Sequence, residues 1–115
     1  MNEIEVLLEK DKIVDTLTEL FMAADCRDWA AVKDVFTPEV HFDRSSLSGT
    51  PATVPAAQIA AGWEEGSRPI KAVHHQAGNF QTRIDGNKAG ARCYRRISLF
   101  RFNLEYVDGN LELAS

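Results

Sequence analysis

The fold is decided by two short stretches, Asp25-Cys-Arg-Asp28-Trp29 and Phe36-Thr-Pro-Glu-Val-His-Phe-Asp43. Asp28 has a side chain that can begin a short helix, because its carboxylate can accept the free N–H groups of the first turn. Pro38 ends that helix, and the alternating residues that follow predict a strand. This order places Asp25 at the end of the preceding segment, where a carboxylate can face a pocket rather than water.

The segment before Asp25 has the periodicity of an amphipathic helix over about residues 3–25. Apolar residues recur there at steps of three and four, so they are expected to form the stripe that faces the core. The members of that stripe are Ile4, Leu7, Leu8, Val14, Leu17, Phe21 and Ala24.

The chain after the first strand predicts one more helix and then strands only. Residues 45–54 are rich in Ser, Thr, Gly and Pro, which indicates a loop. Pro55 suits the first turn of a third helix, on which Ile59 and Trp63 share one face. Strands are predicted over residues 71–84 and over 88 to about 102, joined by the turn Asp85-Gly86-Asn87. Asp108-Gly109-Asn110 has the same turn chemistry and is expected to join residues 103–107 to a short final strand over 111–114.

This element order predicts an α+β fold in which the helices pack on one face of a curved antiparallel sheet. At 115 residues, of which 44% are hydrophobic, residues 1–115 form a single domain. The net charge of −4 argues against a nucleic-acid partner. No apolar stretch reaches the roughly 20 residues that span a bilayer, so a membrane partner is not expected.

The cysteines and histidines of the sequence do not predict a metal or disulfide framework. Cys26 and Cys93 are the only cysteines, and neither has a partner at zinc-ligand spacing. Three scattered histidines without carboxylates at ligand spacing are not typical of a metal site. We therefore expect a reduced, cytoplasmic protein that uses no cofactor.

Several motifs in this order resemble the SnoaL-like group of the nuclear transport factor 2-like superfamily. The resemblance runs from about residue 8 to residue 94. It is carried by Ala23-Ala-Asp25-Cys-Arg-Asp28-Trp29, Phe36-Thr-Pro38, Phe42-Asp43-Arg-Ser-Ser-Leu47-Ser-Gly49, Trp63 and His75-Gln-Ala-Gly78-Asn79. It implies a cone of curved antiparallel sheet around the helices, the cystatin-like roll, with an apolar pocket at its open end. The superfamily includes polyketide cyclases, ketosteroid isomerases and non-enzymatic scaffolds, so fold alone does not decide function.

Within that group the pattern is most similar to scytalone dehydratase. The resemblance implies that Asp25 takes the place of that enzyme's catalytic aspartate and His75 that of one catalytic histidine. The sequence departs from the pattern at Ala24 and Arg44, where tyrosines are expected, and near Arg101, where the second histidine is expected. The group also commonly forms dimers through its sheet, which implies a homodimer here.

The residues themselves support a small pocket with two candidate bases. Asp25, near Phe21 and Trp63, would be partly desolvated and so a stronger base. Period-two alternation places His75 and Asn79 on one face of their strand. Asp43 competes with Asp25 as the base, although pairing with a neighbouring arginine explains it more simply.

The arginines near the C-terminus admit two interpretations. Arg92, Arg95, Arg96 and Arg101 fall on both faces of one predicted strand, where a solvated edge is the simpler explanation. If Arg101 turned inward, it would instead join the substrate pocket with Phe21, Asp43, Arg44, Trp63 and Asn79.

Two functions therefore remain open from the sequence. One is a lyase or isomerase that moves a proton next to a carbonyl in a small apolar or aromatic cyclic substrate. The other is a module that binds such a ligand, or dimerises, without turnover.

Overall fold

The structure, a computed structural model, describes residues 1–42, 52–69, 76–95, 98–107 and 110–115, with the side chains of Phe42, Arg95 and residues 98–100 excepted. Within these ranges the helices are α1 (Glu3–Asp25), α2 (Trp29–Val35) and α3 (Ala56–Ser67). The strands are β1 (Glu39–Phe42), β2 (Ala52–Pro55), β3 (Ala77–Asp85), β4 (Lys88–Arg95), β5 (Ser98–Val107) and β6 (Asn110–Leu113). The predicted α+β class is confirmed.

The predicted bounds of α1 are also confirmed, and hydrogen bonds at both ends explain them. Asn2 caps the start, since its Oδ1 accepts from the Glu5 N–H at 2.8 Å. At the other end, the Asp28 N–H donates to the Ala23 carbonyl at 2.9 Å and the Arg27 N–H to the Ala24 carbonyl at 3.1 Å. These paired bonds form a Schellman motif, which satisfies carbonyls that the helix leaves unpaired.

The turn after α1 is as short as the sequence predicts. Arg27 takes the left-handed position of the motif with φ of 57°, where glycine is usual. The next residue, Asp28, already caps α2, because its Oδ1 accepts from the Ala31 N–H at 3.1 Å. The predicted role of Asp28 as a helix cap is thus confirmed, and the α1–α2 connection is reduced to three residues, 26–28.

The prediction for the apolar stripe of α1 is wrong in its first two turns. Ile4, Leu7 and Leu8 are exposed to 70%, 67% and 58%. The core instead receives Ile13, Leu17 and Leu20, each fully buried. The physical reason is helical phase, since Ile13 lies nine residues, about two and a half turns, from Ile4 and so on the opposite side of the helix.

The four long strands form an antiparallel sheet in the order β3-β4-β5-β6, and β1 pairs with β2 in a separate hairpin. The C-terminal segment joins the two, since the Thr37 N–H donates to the Leu113 carbonyl at 2.8 Å and the His41 N–H to the Ala114 carbonyl at 3.1 Å. The β1–β2 hairpin therefore continues the sheet beyond β6. This arrangement wraps the sheet around α1 and its neighbours.

Two strand predictions need correction. Residues 88 to 102 were expected to form one strand, but they belong to β4 and β5, which pair antiparallel with Arg95 opposite Ser98. The sequence between them, Arg96-Ile97, has no turn residue that would signal a reversal.

The predicted loop over 45–54 is also too long, because Ala52–Pro55 pairs with β1 as β2. The Gly86 turn, with φ of 57°, joins β3 and β4 as predicted.

The core lies between the helices and the inner face of the sheet. Its fully buried side chains come from α1, α2, β1, β4, β5 and β6. The largest of these buried side chains are Ile13, Leu17, Leu20, Val32, Val40, Cys93, Leu104 and Leu113.

Candidate functional site

Asp25 is the last residue of α1, and its side chain is partly buried. The Schellman motif that follows fixes its backbone, because two carbonyls just before it are held by the turn. The C-terminus of a helix carries a partial negative charge, so an acid there is less stable than a neutral residue. The last turn itself contains no basic residue. The sequence thus places a carboxylate where the helix disfavours it, as is common at functional sites.

Phe21 lies one turn before Asp25, on the same side of α1. It is buried, with 6% exposure, and its ring meets Phe102 of β5 edge to face, with centroids 6.4 Å apart. This contact attaches the end of α1 to the inner face of the sheet. The prediction that Phe21 lies beside Asp25 therefore agrees with the helix geometry.

The start of β3 is distorted where it passes α1. Gly78 pairs with Tyr94, whereas Gln81 pairs with Arg92, so β3 has one extra residue between these pairs. Asn79 lies in this bulge with φ of 56°, a left-handed conformation that Asn tolerates better than most residues. Bulges of this kind often occur next to functional sites, where they redirect a side chain.

The bulge overturns the predicted faces of β3. Ala77 pairs with Arg95 and Thr82 with Ala91. Since the two partners are four residues apart on β4, Ala77 and Thr82 share a face although they are five apart on β3. Period-two alternation therefore does not continue across the bulge. The prediction that His75 and Asn79 share a face stays a prediction, because His75 lies outside the described residues.

A groove runs between the end of α1 and this bulge. It is open to solvent, has a volume of about 560 Å³, and so is of the size of small-molecule sites. It brings together two of the predicted site residues, Phe21 and Asn79. The described residues that line it are Thr18, Phe21, Met22, Gln76, Ala77, Gly78, Asn79, Phe80 and Tyr94.

The other predicted site residues are placed differently. Trp63 of α3 is partly buried and packs against the core cluster, and it is not among the described residues that line the groove. Asp43, Arg44 and His75 lie outside the described residues. The structure therefore gives no distance between Asp25 and His75.

Arg101 does not join the predicted pocket. It is exposed, and its neighbour Phe102 faces Phe21 on the inner side of the sheet. Successive residues of a strand point to opposite faces, so Arg101 belongs to the outer face. The simpler of the two interpretations, a solvated arginine, describes its position.

The sequence did not single out most of the groove. Thr18 and Met22 are exposed residues on the outer part of α1, and Tyr94 is 45% exposed on β4. Helical spacing could have indicated both residues, since Thr18 lies three residues before Phe21 and four residues before Met22. No comparable signal existed for Tyr94, which reaches the groove only through strand pairing.

Both cysteines of the chain lie among the described residues. Cys26 and Cys93 are both free, and burial raises the pKa of the Cys93 thiol on the inner face of β4.

In the described part of the chain, no three potential ligands among His, Cys, Asp and Glu converge on a common point. None of the helices described has an apolar run sufficient to cross a bilayer.

Comparison with protein families finds a match to a family described as a SnoaL-like domain, over residues 5–113. Among curated proteins, the uncharacterized protein Rv2910c of Mycobacterium tuberculosis and the uncharacterized protein Mb2934c of Mycobacterium bovis are each 28% identical over 92 residues. Each alignment covers 80% of this chain and 61% of the relative. The chain therefore matches less than two thirds of the length of these relatives.

Solved structures share the fold at low sequence identity. The Kfla4162 protein from Kribbella flavida has a TM-score of 0.77 at 16% identity, with 92% of this chain and 86% of that chain covered. A protein of Streptomyces avermitilis, provisionally named a dehydratase of the NTF2-like family, has a TM-score of 0.77 at 8% identity, with 96% and 94% covered. A protein of unknown function from Nostoc punctiforme with a cystatin-like fold has a TM-score of 0.73 at 14% identity, with 93% and 86% covered.

Proposed function

Because this chain belongs to the SnoaL-like domain family, we propose that it binds a small, mostly apolar cyclic molecule in the groove between α1 and β3. The observation that carries the proposal is the lining of this groove. Aromatic rings of Phe21, Phe80 and Tyr94 supply apolar surface, and the amides of Gln76 and Asn79 supply hydrogen bonds.

The activity we propose at this groove is proton transfer by Asp25. A ligand held against Phe21 would lie within one helical turn of that carboxylate. The carboxylate would take a proton from the carbon next to a carbonyl, and the electron pair would pass to the carbonyl oxygen. The side-chain amide of Asn79 would donate a hydrogen bond to that oxygen.

Two outcomes complete the reaction without an electron acceptor. In an isomerase, the proton returns to a different carbon. In a lyase of the dehydratase kind, the electron pair expels a hydroxyl group, which leaves as water once it receives the proton. The proposal assigns the donation of a proton to protonated His75, which directly precedes Gln76 in the sequence. The proton held by Asp25 then passes to His75, directly or through solvent, and restores both groups.

The first experiment tests binding. A thermal-shift screen of cyclic ketones, aromatic compounds and terpenoids should find ligands that raise the melting temperature of the wild-type protein. Met22→Glu should abolish the shift, because Met22 lines the groove and is 57% exposed, so the change places a charge there without disturbing the core. Val107→Glu, an exposed position outside the groove, is the matched control and should keep the shift. An equal shift in Met22→Glu would contradict the assigned site.

The second experiment tests chemistry with the ligands so found. Asp25→Asn should lower turnover by about 10²- to 10⁴-fold, the range expected for a general base. Asp15→Asn removes the same charge from the exposed side of the same helix and should leave turnover unchanged. Unaltered turnover in Asp25→Asn would end the assignment of Asp25 as the base.

A second candidate function is binding without turnover. It is favoured by the polar groups of the groove, since Thr18, Gln76, Asn79 and Tyr94 offer neutral amides and hydroxyls that suit recognition. In that case the ligands would stabilise the protein and be recovered chemically unchanged after hours of incubation. Mass spectrometry of the incubated ligand distinguishes the two functions.

For partners, we propose a homodimer. The exposed residues Ile4, Leu7 and Leu8 form one apolar stripe, and a like stripe of a second copy can pack into it as helices do. Leu7→Glu should convert a wild-type dimer to a monomer in sedimentation velocity, whereas Val107→Glu should not. A wild-type protein that stays monomeric at all concentrations would contradict this proposal.

A further inference from the structure

Three arginines lie together on the outer face of the four-stranded sheet, away from the groove. Arg92 of β4 is directly opposite Gln81 of β3 and Arg101 of β5. In the next row, Arg83 is opposite Gly90. Because neighbouring strands are about 4.8 Å apart and rows on one face are two residues apart, the guanidinium groups of all three arginines share a small area.

The positive charges of Arg92 and Arg101 are not neutralised by an ion pair within the described part of the chain. Arg92 donates from Nε to the Gln81 side-chain oxygen, which is neutral. Neither Arg92 nor Arg101 has an ion pair with a described carboxylate. Like charges directly opposite each other on a sheet are destabilising, so this pair costs stability in a protein whose net charge is −4.

Gly90 explains how Arg83 joins the area. A Cβ atom at Gly90 would overlap the guanidinium of Arg83, so the absent side chain is what lets that guanidinium lie across β4. From there Arg83 donates from Nη2 to Asn103 Oδ1 at 3.1 Å. Among the described residues Arg83 forms an ion pair with Asp85, at 3.9 Å, whose side chain is 80% exposed. Such an exposed pair is weak and leaves the guanidinium available.

A shallow depression of about 560 Å³ results, with guanidinium and amide groups around it. It opens to solvent on the face of the sheet that carries Arg92 and Arg101, away from the core. The described residues that line it are Gln81, Thr82, Arg83, Ala91, Arg92, Arg101, Phe102 and Asn103.

We propose that this depression binds a phosphate group, either free or as the monoester of a small molecule. Arg92 and Arg101 supply two cationic forks side by side, and a doubly charged phosphate has enough oxygens to accept from both. A carboxylate, with one charge and two oxygens, would satisfy only one fork. The amides of Gln81 and Asn103 keep Arg92 and Arg83 oriented before the ligand arrives. The site is independent of the proposed function, because none of the described residues that line it also lines the groove.

The test uses inorganic phosphate and phenyl phosphate as probes, titrated into ¹⁵N-labelled full-length protein at constant ionic strength. Backbone signals of β4 and β5 should shift, and chloride at equal ionic strength should not shift them. Arg101→Gln should weaken the apparent affinity at least about tenfold, the effect expected for losing a charge-assisted bidentate contact. Arg101→Lys should restore part of the affinity, since it keeps the charge but loses the fork.

Lys88→Gln is the matched control, because Lys88 is an exposed cation of the same strand in a different row. Equal weakening in Lys88→Gln and Arg101→Gln would show only general charge attraction and would overturn the proposal. So would sedimentation data in which Arg101→Gln dissociates a dimer while phosphate shifts no signal, because the arginines would then face the acids of a second copy. A response to phenyl phosphate but not to inorganic phosphate identifies an ester as the ligand; a response to both identifies the phosphate group itself.

Discussion

The two halves of α1 contain similar numbers of large apolar residues but place them in opposite environments. In the first half, Ile4 and Leu8 are 70% and 58% exposed, whereas in the second half Leu17 and Leu20 are fully buried. The second half also carries Asp25 and the groove. The comparison teaches that spacing alone identifies a helix but not the side of it that meets the sheet.

The largest expected effect comes from replacing one leucine in each half of α1 with alanine. Leu17→Ala should lower the free energy of unfolding by about 2–5 kcal/mol, because it removes packed methyl groups and leaves a cavity. Leu8→Ala, nine residues earlier and on the opposite side of α1, should change it by less than about 0.5 kcal/mol. Urea denaturation at protein concentrations low enough to avoid association measures both. Similar values for the two variants would break the comparison.

The side-chain caps at the starts of the two helices should also differ in how much they stabilise the protein, and the cap of α2 should contribute more than the cap of α1. Asp28→Ala should cost about 1 kcal/mol, because it removes the bond to the Ala31 N–H at the junction that fixes the end of α1. Asn2→Ala removes an equivalent bond to Glu5, but at a terminal turn that can fray, so its cost should lie toward the low end, about 0.5 kcal/mol. Thermal unfolding of both variants measures the difference. A larger loss in Asn2→Ala would mean that the first turns of α1 are held more firmly than their exposure indicates.

The smallest expected effect concerns the bond that holds the first half of α1 to the sheet. The Tyr106 hydroxyl of β5 donates to the Glu9 carboxylate, and burial, followed by this bond, raises the pKa of Tyr106 to about 12. The folded state thus retains a proton that an unfolded tyrosine loses near its usual value of 10.0. The resulting stability is fully present below pH 10 and is lost as the pH rises toward 12.

The hydrogen bond between Tyr106 and Glu9 should also affect stability at acidic pH. The hydrogen bond from Tyr106, with that from Lys12, lowers the pKa of Glu9 below its usual value of 4.5. This contribution is present above pH 4.5 and is lost as the pH falls through the lowered value. Tyr106→Phe should flatten the dependence of stability on pH in both windows, whereas Tyr94→Phe should not. Identical profiles for Tyr106→Phe and wild type would show that the bond does not hold α1.

Much of the local structure could be predicted from single residues. The bounds of α1, the Asp28 cap, the Gly86 turn and the α+β class follow from capping, periodicity and turn chemistry, which act over a few neighbouring residues. The division of this part of the chain into β4 and β5 could not be predicted in this way, because the sequence between Arg95 and Ser98 contains no turn residue. Antiparallel pairing along the length of both strands decides that division.

The candidate site was predictable only in part, for a related reason. Phe21 and Asp25 lie on one side of one helix, so helical spacing alone brings them together. Asn79 reaches the groove by a bulge, and a single extra residue inverts the alternation on which the prediction relied. Arg101 was placed in the pocket by resemblance, but its position beside the inward-facing Phe102 turns it to the outer face.

The sequence by itself determined where helices and turns begin and end, and that an acid closes the first helix, because those features depend on contacts between residues close in the chain. Only the tertiary structure decided which side of α1 is buried, that β4 and β5 are separate strands, and that three arginines gather on the outer face. Each of these depends on the register between strands and on helix phase against the sheet, which residues far apart in sequence must fix together.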